Sequence, residues 1–205
     1  MGISERKERE REEMQRQILN AARALFLENG FEKTSIRAIA DLIEYSPATI
    51  YLYFKDKNEI FYALHEQAFK ALEEALKSVF LIQDPFAQLV ELGHLYTKWA
   101  IENPGLYDLC FLMEAPMEAL ACREESWKQG KGAFDLLKSV IGRCIEGGYF
   151  KGHDLDTSAL TIWSYVHGLV TIYLKKRMEM FEDDRDIERI GESYSLFIRV
   201  IRDGF

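Results

Sequence analysis

From residue 18 onward the apolar residues recur every three to four positions, the period of an amphipathic helix, and no stretch alternates as a half-buried strand would. Ile18, Leu19, Ala22, Leu25 and Phe26 mark the inner face of a first helix, with Arg16 and Arg23 on its polar side. Asn29-Gly30 supplies a left-handed stop. A second, shorter stripe of Ile36, Ile39, Ala40 and Ile43 follows Thr34-Ser35, either of which can cap the free amides of a first turn. The chain turns at Glu44-Tyr45. Ser46 then caps another short helix, and Pro47 takes its first position, where a missing amide hydrogen costs nothing. Ile50 and Phe54 face inward, leaving Thr49, Tyr51, Leu52 and Tyr53 to the outer faces. Asn58-Glu59-Ile60-Phe61 opens a long helix with Phe61, Leu64, Ala68, Leu72 and Leu76 along one side. Helices are expected near 57–81, 86–102, 106–113, 117–146, 156–178 and 185–202. The breaks between them fall at Asp84-Pro85, Asn103-Pro104-Gly105, Ala115-Pro116, Gly147-Gly148 and Gly152. The fold class is all-α.

Residues 34–57 carry the strongest chemical signal. Two short helices joined by a tight turn, with hydroxyls and bases displayed on the second, form the device that presents a helix end to the major groove of DNA. Lys55 and Lys57 follow where ammonium groups would meet phosphates flanking the groove. The competing reading is a surface hairpin of an ordinary helical bundle, its tyrosines half-buried as packing. The neighbouring helices weigh against it, because they complete a three-helix domain that feeds a long connecting helix.

With these anchors in register the chain resembles the TetR family of one-component transcriptional regulators. The matching residues are Ile18-Leu19-Asn20-Ala21-Ala22-Arg23-Ala24-Leu25-Phe26, Gly30-Phe31, Thr34-Ser35, Ile39-Ala40, Ser46-Pro47-Ala48-Thr49-Ile50-Tyr51 and Tyr53-Phe54-Lys55-Asp56-Lys57. The likeness covers residues 12–72, with the helix-turn-helix motif at 35–54; residues 73–205 are left for a C-terminal helical ligand-binding and dimerisation domain. What the resemblance implies is a homodimer whose paired recognition helices read a palindromic operator in double-stranded DNA. Thr34 or Ser35, Tyr51 and Tyr53 would hold phosphates, and Lys57 would touch the backbone from the start of the fourth helix. Pro47, Ala48 and Thr49, following the Ser46 cap, would sit against base edges, where methyl groups can meet thymine methyls. Arg37 would reach a base or groove edge from the second helix. Two residues depart from the family pattern. Glu44 stands where the inter-helix turn usually has glycine; a left-handed residue there would cost on the order of 1–2 kcal/mol, so the turn is expected to adjust. Leu52 replaces the usual histidine or other polar reader, which shifts base readout toward apolar contacts and DNA shape.

The segment Thr157–Lys176 is apolar nearly all round, and a helix without a polar face must be buried on both sides. One core cannot cover it, so a subunit interface is the expected second partner. Leu160, Tyr165, Gly168 and Ile172 would meet it there. Ile187, Ile190, Gly191, Tyr194, Phe197, Ile198 and Ile201 supply a companion stripe, for a four-helix interface in which Gly168 and Gly191 permit close approach. Tyr165-Val166-His167-Gly168-Leu169 is similar to a signature in one branch of TetR C-terminal domains, and Asn103-Pro104-Gly105-Leu106-Tyr107 with Cys110-Phe111 to its companion. A cavity for a small, largely apolar effector is expected among Leu95, Trp99, Tyr107, Phe111, Met113, Met117, Trp127, Phe134, Trp163, His167 and Thr171. Rings and flexible Met side chains leave adaptable space for such a guest. The same pattern also describes a plain aromatic core, with His167 bonding a neighbouring carbonyl.

Composition narrows the alternatives. The chain has 205 residues and no run near the roughly 20 apolar residues of a membrane span, so no membrane partner is expected and a cytoplasmic location is. Cys110, Cys122 and Cys144 form no CxxC pair, which suggests reduced thiols rather than a redox pair or metal site. The net charge of −8 is unevenly placed: residues 1–58 hold ten Lys/Arg and ten Asp/Glu, the remainder sixteen and twenty-four. Acidity therefore lies away from the expected reading head, and non-specific DNA affinity should be weak. The mixed-charge run Ser4–Glu13 is expected to extend the first helix or fray. HExxH, GxSxG, a Gly-rich phosphate loop and a paired Glu-x-x-His set are all missing, and His65-Glu66 has no second histidine at the needed spacing. Neither catalysis nor a cofactor is expected. The leading expectation is a ligand-released repressor; the alternative is a DNA-bound adaptor acting through a protein partner without an effector.

Overall fold

The computed structural model describes residues 2–113 and 128–203. Every regular element among them is helical: α1 Ile3–Asn29, α2 Ile36–Leu42, α3 Pro47–Tyr51 and α4 Lys57–Leu76, which tightens into a 3-10 turn at Lys77–Leu81. Then come α5 Pro85–Glu102, α6 Pro104–Tyr107 running into a π-helical turn Asp108–Leu112, α7 Lys128–Glu146, α8 Leu155–Leu174 and α9 Asp186–Asp203. The described residues divide into two compact units, one reaching Phe69 and including the segment from Gly105, the other comprising Lys70–Pro104 and the residues from Gln129 onward. Part of the expected helix 117–146, residues 117–127, lies outside the described residues.

In the first unit Ile18, Ala22, Ile39, Ala40, Ile50 and Phe54 are buried as the helical spacing requires. The rings of Phe26, Phe31 and Phe61 close the core at centroid separations of 5.2–6.0 Å. The charged N-terminal run is helical from Ile3, supported by i,i+4 pairing such as Arg6–Glu10 at 2.8 Å. α1 stops at Gly30, whose φ of 81° and ψ of 162° lie outside the left-handed helical region, in backbone space open essentially to glycine alone. The segment from Gly105 packs on this unit. A Cβ at Gly105 would stand 2.8 Å from Leu27 Cδ1, and the Phe111 ring lies 5.3 Å from Phe69 and 5.1 Å from Tyr107.

The second unit is tied by side chains distant in sequence. Buried Gln88 donates to Val79 O at 3.0 Å and accepts from Arg143 Nη1 at 2.7 Å, while Arg143 Nη2 donates to Gln83 O at 2.8 Å. These bonds fasten the 3-10 turn and the start of α5 to α7. Tyr194 OH donates to Leu89 O at 3.1 Å, and the Tyr165 ring stacks on Phe197 at 3.7 Å. α8 ends at Leu174 rather than near 178. Arg177 N donates to Ile172 O (2.8 Å) and Lys176 N to Tyr173 O (2.9 Å), closing the helix around Lys176 at φ 54°.

Candidate functional site

Local bonds set the two short helices of the first unit. Ser35 Oγ accepts Ala38 N–H at 3.1 Å and starts α2. Ser46 Oγ accepts Thr49 N–H at 3.3 Å and starts α3, with Pro47 at the first position. Between them α2 is closed by Tyr45 N donating to Ala40 O (3.0 Å) and Glu44 N to Asp41 O (3.2 Å). That closure demands a left-handed residue, and Glu44 supplies it at φ 60°. The turn has not adjusted to spare the glutamate. The two carbonyl bonds offset a strain of about 1–2 kcal/mol.

With Ile50 and Phe54 buried, α3 turns its other side outward. Ser46, Ala48, Tyr51, Leu52 and Lys55 are exposed, Leu52 at 77%, and Pro47, Thr49 and Tyr53 are half-exposed. Arg37 stands exposed on α2, with Asp41 Oδ2 3.9 Å from its Nε. The arrangement displays apolar groups, phenols and cations beside one another on one turn of structure, which suits groove edges flanked by phosphates.

Two nominated residues take other roles. Thr34 is 3% exposed, and its hydroxyl faces the carbonyls of Gly30 at 2.9 Å and Leu25 at 3.2 Å. Its single O–H is committed inside the fold, so a phosphate contact by Thr34 is not supported and Ser35 is the cap. Lys57 Nζ donates to Phe31 O at 2.7 Å and lies 4.1 Å from the centre of the Phe31 ring. Nζ also lies 3.4 Å from Glu32 O, and these contacts pin the turn after α1 to the start of α4.

The nominated pocket residues fall in both units. In the first, Tyr107 is buried and Phe111 and Met113 are half-buried. In the second, Trp99 is buried, and Leu95, Phe134, Trp163, His167 and Thr171 are half-buried. Phe134 lies 5.9 Å from Trp163 and Trp163 5.4 Å from His167, ring to ring. Met117 and Trp127 lie outside the described residues. Tyr96 was missed: its OH stands 3.1 Å from His167 Nδ1, a pairing between α5 and α8 that no local pattern announces. Burial lowers the His167 pKa and favours the neutral ring. His65, on the inner side of α4, is likewise lowered by burial, partly opposed by a hydrogen bond with the Cys110 backbone. Cys110 and Cys144 are buried, and burial pushes both thiols up, Cys144 to about 12, away from the reactive thiolate. Cys122 lies outside the described residues.

The nominated interface residues separate in the same way. Ile190, Tyr194 and Ile198 are buried within their own unit, at 1%, 2% and 6% exposure, and cannot also face a partner. Tyr165 and Phe197 stack on each other, and Ile201 is half-buried. Leu160, Ile172 and Ile187 are exposed, and a Cβ at Gly168 or Gly191 would meet open space.

Comparison with known proteins agrees with this geometry. Residues 18–64 match the model of the bacterial regulatory proteins of the tetR family, and residues 89–193 that of the tetracyclin repressor-like C-terminal domain. The second match alone spans more than half the chain. The chain belongs to the TetR family of transcriptional regulators. It is thus a helix-turn-helix protein that binds DNA to regulate transcription, and not an enzyme. A fatty acid metabolism regulator protein of Bacillus subtilis (strain 168) is 26% identical over 163 residues, covering 77% of this chain and 82% of that one. Two solved structures share the fold. The fatty acid degradation regulator FadR of Bacillus halodurans superposes with a TM-score of 0.72 at 20% identity, over 90% of this chain and 94% of its own. FadR of Bacillus subtilis in complex with stearoyl-CoA gives 0.70 at 20% identity, over 92% and 98%. No helix among the described residues is long and apolar enough to cross a membrane.

Proposed function

We propose that this regulator is a repressor: a homodimer that holds a palindromic operator until an effector with a long apolar chain releases it. The outward face of α3 carries the reading. Ala48, Thr49, Pro47 and Leu52 meet base edges, while Ser35, Tyr51, Tyr53 and Lys55 hold the phosphates beside them, with Arg37 at the groove edge and Lys57 at the start of α4. Residues 12–72 form the reading head, and 73–205 the sensor and dimerisation part. Its two heads sit about 34–36 Å apart, one turn of duplex, which makes the operator symmetric. Leu160, Gly168 and Ile172 on α8, with Ile187 and Gly191 on α9, form the subunit contact, since the three large side chains are exposed and the two glycines leave room for close approach. The protein acts in the cytoplasm, on chromosomal DNA.

The effector reading rests on the fatty acid regulators among the relatives and on the aromatic lining around Trp163 and His167. A ligand releases DNA only if it binds the released state more tightly than the DNA-bound one. Fluorescence anisotropy tests the whole reading, using the fragment upstream of this protein's own gene as labelled DNA and stearoyl-CoA as the first effector. Saturable binding that stearoyl-CoA reverses is the expected result. Binding that no acyl-CoA of any chain length reverses would remove the effector and leave the adaptor reading. A protein that remains monomeric at binding concentrations would remove the dimer.

A further inference from the structure

α3 has little to offer a base by hydrogen bonding. Its sequence, Pro47-Ala48-Thr49-Ile50-Tyr51, contains no Arg, Lys, Asn or Gln for a bidentate pairing with guanine or adenine. The Thr49 hydroxyl lies 3.1 Å from Ser46 Oγ, which already accepts the Thr49 amide. The exposed Ala48 and Leu52 stand four residues apart and so share one helix face. Leu52, which caps the C-terminal end of α3, is 77% exposed and so leaves most of its surface uncovered by its own unit. The major groove contains a single apolar substituent, the C5 methyl of thymine.

From this juxtaposition we propose that the Ala48–Leu52 stripe reads thymine methyl groups, with Leu52 as the specificity-determining residue of each half-site. The inference rests on the DNA-reading function above and deepens it by naming what is recognised. Cytosine, which lacks the methyl, leaves the leucine facing a polar amine; thymine allows both apolar groups to leave water together. The half-site is accordingly expected to carry adenine–thymine pairs with their thymines beneath Leu52, and not to depend on a guanine contacted from α3.

The test uses the full-length protein. Duplexes are first enriched from a random library, and each thymine of the enriched half-site is then replaced by uracil, which removes the methyl and keeps the pairing. One thymine per half-site should stand out, each lost methyl weakening binding about fourfold. Leu52→Ala should bind the parent duplex more weakly and be indifferent to the same replacement, closing a double-mutant cycle on one contact. Its melting temperature should match that of the unmodified protein, because the side chain is solvent-exposed. Uracil duplexes bound as tightly as the parent would overturn the proposal, as would a Leu52→Ala protein that keeps the full uracil penalty. Failure to enrich any duplex is a different outcome, and it would bring down the DNA-reading function itself.

Discussion

The reading head and the C-terminal unit are stabilised by bonds of very different reach. In the head, Ser35, Ser46 and the closure at Glu44 all join groups within five residues of one another. In the C-terminal unit Tyr194 reaches Leu89, Arg143 reaches Gln88 and Tyr96 reaches His167, across 105, 55 and 71 residues. Short-range bonds fix where α2 and α3 begin and end, and burial of Ile39, Ala40, Ile50 and Phe54 holds them in place, so the head presents side chains already in position. Long-range bonds make the C-terminal unit a set of linked helices, in which moving one element strains several others. A locally capped display element and a cross-linked bundle are thereby built from the same kind of helix.

Perturbations of each part sharpen this contrast. The largest effect is expected on the display face. On the proposal that Tyr51 holds one phosphate in each half-site, Tyr51→Ala should weaken DNA binding about a hundredfold or more, with dimerisation and melting temperature unchanged. Loss of the dimer in sedimentation would show that Tyr51 acts elsewhere. Next comes the closest approach in the C-terminal unit. A Cβ at Gly93 would stand 2.1 Å from Tyr194 OH, so Gly93→Ala must displace the tyrosine from Leu89 and should cost about 1–3 kcal/mol in denaturant unfolding. A neutral result would mean the long-range bonds are loosely held. Lys57→Ala sits between the two kinds. It should lower stability by about 1 kcal/mol through the lost Phe31 bond and also weaken binding similarly on all sequences. Unchanged stability would assign Lys57 to DNA alone.

Smaller effects follow from backbone strain and burial. Glu44→Gly should relieve the left-handed turn and raise stability by about 1 kcal/mol, read as a higher denaturant midpoint. A lower midpoint would mean that the glutamate side chain contributes something its solvent exposure does not suggest. The smallest effect concerns pH. Burial lowers the pKa of His65 below its ordinary value near 6.5. Above that value both the folded and unfolded states carry a neutral ring. As pH falls through it, the unfolded chain binds the proton first, so stability declines until the folded ring also titrates. His65→Gln should therefore flatten the stability profile below about pH 6.5, and an unaltered profile would exclude His65 as a source of the slope.

Where the bonds are short, the chain announced its structure. Ser46-Pro47 marks the start of α3, and the spacing of Ile50 and Phe54 fixes which side faces inward. The exposure of Ala48, Tyr51 and Leu52 follows from those alone. The resemblance pointed to a left-handed position at Glu44, but the turn was expected to adjust, because glutamate gives no sign of accepting a conformation natural to glycine. Thr34 misled because two adjacent hydroxyls look alike in sequence, and only the carbonyls of Leu25 and Gly30 distinguish them. In α9 the stripe from Ile187 to Ile201 looked uniform, yet Ile190, Tyr194 and Ile198 face the interior while Ile187 faces solvent.

The amino-acid order by itself determined the helices, their caps, the recognition element and the family, because each depends on groups a few residues apart and on a period of 3.6. Tertiary structure alone decided which apolar residues are core and which remain open, what Thr34 and Lys57 hold, and that Tyr96 meets His167. Those outcomes depend on which helices pack together, and a residue's burial is a property of its neighbours in space rather than of its neighbours in the chain.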